Sequence, residues 1–552
     1  MLVNVETIER FISAELDGRK HPGSSVAIVK DGEVIWSRGF GYSNLREGKP
    51  SISETIYGCA SVTKPVVTVG FLKLMEQGKF TLDDPVNKHL DVKIRDIKGD
   101  EPRVRDLLTH YTGMPTRVPP LYFLGEKADD MKEYIHSAAR MVRPRGETWA
   151  YCNTAFTIVG YLIKQFTGVE YDVYLKEHVL KPLEMTSSDF ELSSMVAERL
   201  AQGYKRAGGP ENPIIPNTQY VLGTKPADPA GSLYSTVLDL SKFLTMNMNG
   251  GEYKGKRLLK TETIREMQSL QASTGKSRSG MGLTWFRTIH DGHVMLYHTG
   301  GLPDYTNHLC FYPEEKIGVC WLSNMQDGSG WRPPAPTILR IALNEEPSTQ
   351  GMQSPSENWE KITGFYGDET NHLTIRVANG YLTLSDRLLL EKLDETRYRI
   401  HGTSNDGEEL TLEYASDGSV AQIDLGTSYY RRYTPEVSKV DVGADLVANW
   451  IGEYYDDYGF HKIELKIANR NSAIVNSPNG EYITLRDFRA ELGQVTGQGT
   501  FRIPRDYARW GTSDYIDVKI DLKAVNGKLI GLLLNPGSAE KLILEKDNIR
   551  KN

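Results

Sequence analysis

The 552-residue chain contains four cysteines, Cys59, Cys152, Cys310 and Cys320, with no CxxC pair and no His/Cys cluster at metal-ligand spacing. That scarcity excludes a disulfide framework and a structural zinc, and points to a reduced, cytoplasmic protein. No apolar run approaches the roughly 18 residues that would cross a bilayer. The opening "MLVNVETIERFISAELDGRK" intersperses charges among Val5, Ile8, Phe11, Ile12 and Leu16, which is the spacing of an amphipathic helix and not the apolar core of a signal peptide. Lysine and arginine form no run or basic-aromatic stripe, and the net charge is -7, so nucleic acid is excluded as a partner. Low-complexity tracts are missing as well.

What remains is an ordinary globular composition, 39% hydrophobic and 25% charged, on a chain long enough for about three or four domains. Residues 1–345 read as a mixed α/β unit. "SVAIVKDGEVIWSRGFGY" gives two β-rich runs joined at Lys30-Asp31-Gly32, a hairpin signal. Helical patterns follow in "VVTVGFLKLMEQGK", "VRDLLTH", "TAFTIVGYLIKQFTG" and "TVLDLSKFLTMNMNGG", and strands return in "GHVMLYHTGG", "HLCFYPEE" and "IGVCWLSN". This order predicts an antiparallel sheet whose two ends meet beside a helical cluster.

Residues 346–358 lose periodicity and collect Pro, Ser, Gln and Gly, the composition of a linker. Beyond them the chain repeats itself. Trp359 and Trp450 each precede Gly-x-Tyr-x-Asp (Gly364, Tyr366, Asp368; Gly452, Tyr454, Asp456), and each copy then alternates apolar and polar residues into Ala-Asn. Two related all-β modules, 359–436 and 444–552, are expected.

The chemistry centres on "GCASVTKPVV". A serine three residues before a lysine is weak evidence, because Ser273/Lys276 and Ser538/Lys541 share the spacing of Ser61/Lys64. Ser61 differs in context: it follows strand-like "TIYGCA" and opens a helical pattern, where i and i+3 are neighbours. There a lysine with a lowered pKa can take the serine proton, and the Ser61 N–H sits where unpaired donors favour developing negative charge. Tyr151-Cys152-Asn153 supplies a phenol for leaving-group protonation and an amide for positioning, although Tyr42/Asn44 and Tyr305/Asn307 match the same spacing. At the end of a predicted strand, His298-Thr299-Gly300-Gly301 offers a cation, a hydroxyl and bare glycine backbone. The cysteines beside these motifs read as small buried hydrophobes.

Ser-x-x-Lys, Tyr-x-Asn and His-Thr-Gly in this order, with "DGEVIWSRGFGYSN", "LDDPVNKHL", "VRDLLTHYTGMP", "PAGSLYSTVLDLSKFL" and "IGVCWLSNM" around them, resemble the serine β-lactamase and penicillin-binding superfamily over roughly residues 20–330. The resemblance is to its class C-like, serine-peptidase branch of D-aminopeptidases, DD-peptidases and esterases. It implies a β-lactamase/transpeptidase-like α/β domain, with two antiparallel β-barrel domains following as in D-aminopeptidase. By the same resemblance Ser61 is the nucleophile and Lys64 its base, Tyr151 the acid/base, and Asn153 the residue that positions Lys64 and a substrate amide. The Ser61 and Gly301 N–H groups would form the oxyanion hole, with Thr299 and Gly300 lining the substrate. Which of Lys64 and Tyr151 is the true base stays open. His298 stands where many relatives carry lysine, which argues against penicillin turnover as the main activity and in favour of D-aminopeptidase-like or esterase-like chemistry.

Two carboxylates compete to read a substrate α-ammonium: Asp304, after the third motif, and Asp514, in "RDYARWGTSDY" (residues 505–515) of the last module; a solvated turn is the plainer role for each. The expected protein is a serine hydrolase that cleaves an amide of a small peptide or amino-acid amide through an acyl-enzyme, possessing neither metal nor organic cofactor. It is not expected at a membrane, and a homo-oligomer is open to it. Ester or β-lactam cleavage by the same site is the near alternative, and a peptide-binding protein with negligible turnover is the distant one.

Overall fold

The computed structural model describes residues 4–345 apart from 98, 115–130, 207–213, 217–228, 274–276 and 327–332. It also describes residues 359–433 apart from 368–371, 379–380, 386–387 and 402–405, and the strands between 449 and 546. The expected linker, 346–358, and Asp514 lie outside the described residues.

The N-terminal domain is built on an eight-stranded sheet. Its strands are β1 (Gly23–Lys30), β2 (Glu33–Asn44), β3 (Lys49–Pro50), β4 (Gly280–Met281), β5 (Phe286–His290), β6 (His293–Leu302), β7 (Tyr305–Tyr312) and β8 (Ile317–Ser323), in the spatial order β4-β5-β6-β7-β8-β1-β2-β3. The β1–β2 hairpin turns at Asp31 (φ 51) and Gly32 (φ 89), two left-handed residues that suit a two-residue connection. The predicted meeting of early and late strands is the β1–β8 ladder, in which Ser24 pairs with Ser323 and Lys30 with Ile317.

One face of this sheet is covered by helices α1 (Val5–Gly18) and α6 (Ala335–Leu343), which bury Ile8, Ile12, Ile338 and Leu339 against Val26, Ile28, Val319 and Trp321. On the other face lies α5 (Val237–Met248), whose Ser241 hydroxyl meets the Cys320 thiol and whose Leu244 packs on Gly318. The helical cluster comprises α2 (Thr63–Glu76), α3 (Val104–Thr109) and α4 (Asn153–Thr167), which contact one another through α4. Both α2 and α4 are buried along almost their whole length.

Downstream, eight antiparallel strands from Gly364 to Tyr433 close a barrel. The second all-β region forms one nine-stranded antiparallel sheet between Asn449 and Lys546, running in space from Tyr482–Thr484 to Arg486–Glu491. The closed antiparallel barrel expected after the catalytic domain is found in the first module.

By contact density the chain divides into two compact units, one holding the α/β domain with barrel residues 374–431, the other holding residues 364–373 and 432–552. Within the first unit Asp424, fully buried, accepts a hydrogen bond from the Ser277 N–H at 3.2 Å, and Arg340 of α6 pairs with both Asp291 (3.1 Å) and Asp406 (2.5 Å). Among the described residues no helix is long and apolar enough to cross a membrane.

Candidate active site

The strand Tyr57–Gly58 pairs with Tyr234–Ser235 and delivers the chain into a single 3-10 turn, Ala60–Val62, from which α2 continues. Ala60 has φ 51, a left-handed conformation that costs a residue with a Cβ about 1–3 kcal/mol. Neighbouring bonds hold it there: the Thr63 hydroxyl donates to the Ala60 carbonyl at 2.6 Å, the Leu233 N–H to the Thr63 hydroxyl at 3.0 Å, and the Cys59 N–H to the Leu233 carbonyl at 2.8 Å. Ser61 is thereby presented, partly exposed, at a sharp corner.

Lys64 follows within the first turn of α2 and is fully buried. Its Nζ donates to Ser61 Oγ at 2.9 Å and to the Ala230 carbonyl at 2.8 Å. The same nitrogen lies 5.0 Å from the Tyr151 ring centroid and 5.5 Å from that of Phe156. Burial of a lysine amine disfavours its charged form, which is what a partner for the Ser61 proton requires. Lys276, of the Ser273/Lys276 pair, lies outside the described residues, and Ser538 and Lys541 sit in a β-strand.

Tyr151 precedes α4, and its ring centroid is 6.4 Å from that of His298 and 4.3 Å from that of His110. Cys152 is fully buried and its thiol is pushed up to about 11 by desolvation; burial likewise raises Cys59, Cys310 and Cys320, so all four are the inert hydrophobes expected. Asn153 opens α4 with a buried Oδ1 that has no hydrogen-bond partner. The bridge from this oxygen to Lys64 implied by the resemblance is not formed.

His298 lies on β6, almost fully buried, and its Nδ1–H donates to the Thr299 carbonyl at 2.7 Å. Phe286 packs 5.4 Å from its ring. Gly300 passes so close to the nucleophile corner that a Cβ there would stand 2.2 Å from the Cys59 carbonyl oxygen. The Asn307 amide ties β7 to the same corner through the Gly58 carbonyl at 2.9 Å. Gly301, next along β6, is exposed. Ser61, Lys64, Tyr151, His298 and Gly300 thus converge on one place.

Asp304 does not lie in a solvated turn. It is 3% exposed between β6 and β7, packed where any side chain on Gly203 would collide with its carboxylate. Its Oδ1 has no hydrogen-bond partner, and desolvation raises its pKa to about 7, with Lys205 as a weaker opposing influence. A carboxylate so enclosed is not a ready reader of a substrate amine. Two residues beside the site carry no sequence signal of a role there: the Ala230 carbonyl, which as backbone has no side-chain signature, and His110, whose setting marks only the end of a helix.

The comparisons agree with this geometry. A family model described as Beta-lactamase matches residues 8–343, well over half of the chain. The chain belongs to the Beta-lactamase family. It is 24% identical over 324 residues to Protein flp of Staphylococcus aureus, a match covering 58% of this chain but 63% of that relative's length. Among solved structures it is similar to the octameric penicillin-binding protein homologue from Pyrococcus abyssi, with 28% identity, a TM-score of 0.55, and coverage of 77% of this chain and 99% of that one. The D-amino acid amidase of Ochrobactrum anthropi SV3 shares the fold at 22% identity, with a TM-score of 0.50 and coverage of 60% and 95% respectively. The chain is a β-lactamase-fold member of a hydrolase family.

Proposed function

We propose that this β-lactamase-fold protein is a serine hydrolase that cleaves an amide bond of a small peptide or amino-acid amide, D-aminopeptidase-like, through an acyl-enzyme on Ser61. The observation that carries the reading is the 2.9 Å hydrogen bond from the buried Lys64 Nζ to Ser61 Oγ, beside the Tyr151 ring. Ser61 Oγ attacks the carbonyl carbon while its proton passes to the Lys64/Tyr151 pair. The tetrahedral oxyanion takes hydrogen bonds from the Ser61 and Gly301 N–H groups. Tyr151 then returns a proton to the leaving nitrogen as the C–N bond breaks, and later helps a water molecule to hydrolyse the ester. Asn153, whose Oδ1 is unpartnered, accepts a substrate N–H, and Thr299 and Gly300 flank the acyl group. Acyl transfer of this kind uses side chains and backbone donors, and calls for no cofactor.

The domain limits consistent with this reading are 1–345 for catalysis, then 359–436 and 444–552 for the β modules. Asp514 is the candidate for a substrate α-ammonium, and Asp514→Ala should abolish any preference for free-amine over N-acylated substrates. The octameric Pyrococcus homologue supports looking for a homo-oligomer, and a cytoplasmic setting fits the cysteine content.

Covalent labelling by a fluorophosphonate, with mass spectrometry of the Ser61 peptide, tests the nucleophile. No labelling of the wild type would favour a peptide-binding protein, and labelling that persists in Ser61→Ala would overturn Ser61 as the nucleophile. A panel of D- and L-amino-acid amides, p-nitrophenyl esters and nitrocefin then separates amidase from esterase and lactamase.

A further inference from the structure

His110 closes α3 as its C-terminal cap, at φ 64 and ψ 28, a left-handed conformation that histidine adopts more readily than most residues. Its side chain is fully buried, and three separate contacts run from it to the segment holding Tyr151. The Ala150 N–H donates to the His110 carbonyl at 2.9 Å, on one side of the tyrosine. On the other side, the Cys152 N–H donates to His110 Nδ1 at 3.1 Å. Between them the imidazole lies 4.3 Å, centroid to centroid, from the Tyr151 ring, with 35° between their planes.

We propose that His110 is the positioning residue for Tyr151, clamping the peptide on both sides of the tyrosine and fixing its ring against the Lys64 ammonium. The inference rests on the acyl-enzyme reading above. Two peptide hydrogen bonds set where the Tyr151 backbone lies, and the stacked ring limits the rotation of its side chain. Lys64 Nζ is 5.0 Å from that ring, so a small displacement would change both the electrostatic stabilisation of a phenolate and the proton-transfer distance.

The clamp works with an uncharged ring. Nδ1 must present its lone pair to the Cys152 N–H, which places the hydrogen on Nε2, and a second hydrogen would set two donors face to face. The surroundings enforce this state: burial first, then the charges of Lys64 and His298, hold the His110 pKa well below its ordinary value. Trp149 and Phe156 enclose the ring further, at 6.2 and 5.6 Å.

Two substitutions divide the clamp. His110→Asn suits the left-handed backbone and retains an acceptor for the Cys152 N–H but removes the stacked ring; His110→Phe retains a ring and removes the acceptor. The probe is p-nitrophenyl acetate, read as the p-nitrophenol burst between pH 5 and 10, with intact-protein mass and denaturant midpoints recorded for each variant. If the wild type shows no acyl adduct on Ser61, the acyl-enzyme reading itself fails, whatever His110 does. Given an adduct, at least one variant should acylate about tenfold or more slowly with little change in KM, and its rate should rise at higher pH than in the wild type. Loss in a single variant assigns the clamp to the contact that variant removes. Wild-type rates and profiles in both variants would overturn the proposal, as would lower denaturant midpoints with the pH profile unmoved.

Discussion

Gly160 on α4 faces Pro229 so closely that a Cβ on the glycine would lie 2.0 Å from the proline Cγ. The next residue, Ala230, supplies the carbonyl that accepts from Lys64 Nζ at 2.8 Å. The absent side chain at position 160 therefore sets the depth at which the lysine's second partner sits.

Gly160→Ala should push the 229–231 turn off α4 and lengthen the Lys64–Ala230 bond. We expect kcat to fall by about tenfold or more, because a displacement of about 1 Å in a catalytic group costs up to roughly 100-fold. Overpacking should also destabilise the fold by about 1–3 kcal/mol. Steady-state kinetics beside urea unfolding checks both, and an unchanged kcat would show that the carbonyl does not tune the lysine.

Lys64→Met removes the amine from the proposed Lys64/Tyr151 pair while filling a similar buried volume. Acylation of Ser61 should drop by at least about 100-fold, the usual scale of general-base catalysis, with the midpoint of unfolding little changed or raised, since a buried ammonium is costly to keep. Stopped-flow acylation with differential scanning calorimetry reads the pair of effects.

His298 occupies a buried site beside Tyr151, and in the proposed mechanism a protonated ring there would assist ionisation of the phenol. That help is present at low pH and fades as pH rises through the titration of the imidazole, whereas a lysine keeps its charge throughout. His298→Lys should therefore broaden the pH-rate profile on its alkaline side; superimposable profiles would remove histidine charge from the mechanism.

Asp304 binds its proton more tightly in the folded chain, with a pKa raised to about 7 from the ordinary 3.8. The folded state then holds more protons than the unfolded state between about pH 4 and 7, so this group's contribution to stability falls as pH rises through that window. The full effect is on the order of 4 kcal/mol by the usual conversion of pKa to free energy. Asp304→Asn should make the unfolding free energy less dependent on pH, gaining on the wild type as pH goes from 4 to 8. Equal slopes in urea titrations at those pH values would refute the assignment.

Much of the candidate site is legible in the chain, because each side chain proposed to do chemistry belongs to a motif whose local setting the sequence declares. A strand before Ser61 and a helix after it bring Lys64 round to the hydroxyl, and a strand ending in His298-Thr299-Gly300 can run flush against the Cys59 carbonyl only through glycine. What escaped notice depends on partners far apart in sequence. The Ala230 carbonyl is one backbone oxygen among hundreds, selected by Gly160 and Pro229. His110 ends a helix as its sequence setting indicates, but its two hydrogen bonds and its ring contact go to residues about 40 positions later. Asp304 looked like a solvated turn because Gly203, which leaves room for it, lies about 100 residues earlier. Alternation likewise marks strands in both C-terminal β regions, while the register that closes the first into a barrel comes from pairings that a two-residue period does not encode.

The β1–β8 ladder also has a bearing on how the protein is made. Ser24 must find Ser323 and Lys30 must find Ile317, partners separated by roughly 300 residues of chain. On the ribosome, β1 and β2 emerge long before β8 and wait, with β1 lacking a neighbour on one side, until β8 has left the exit tunnel. During that interval α1 alone can shield Val26 and Ile28, because α6 and Trp321 do not yet exist to complete their cover. Topologies with such distant pairings fold slowly and pass through states prone to association. Synthesis at low temperature or with a chaperone should therefore raise the soluble yield more than any single stabilising substitution in the finished sheet.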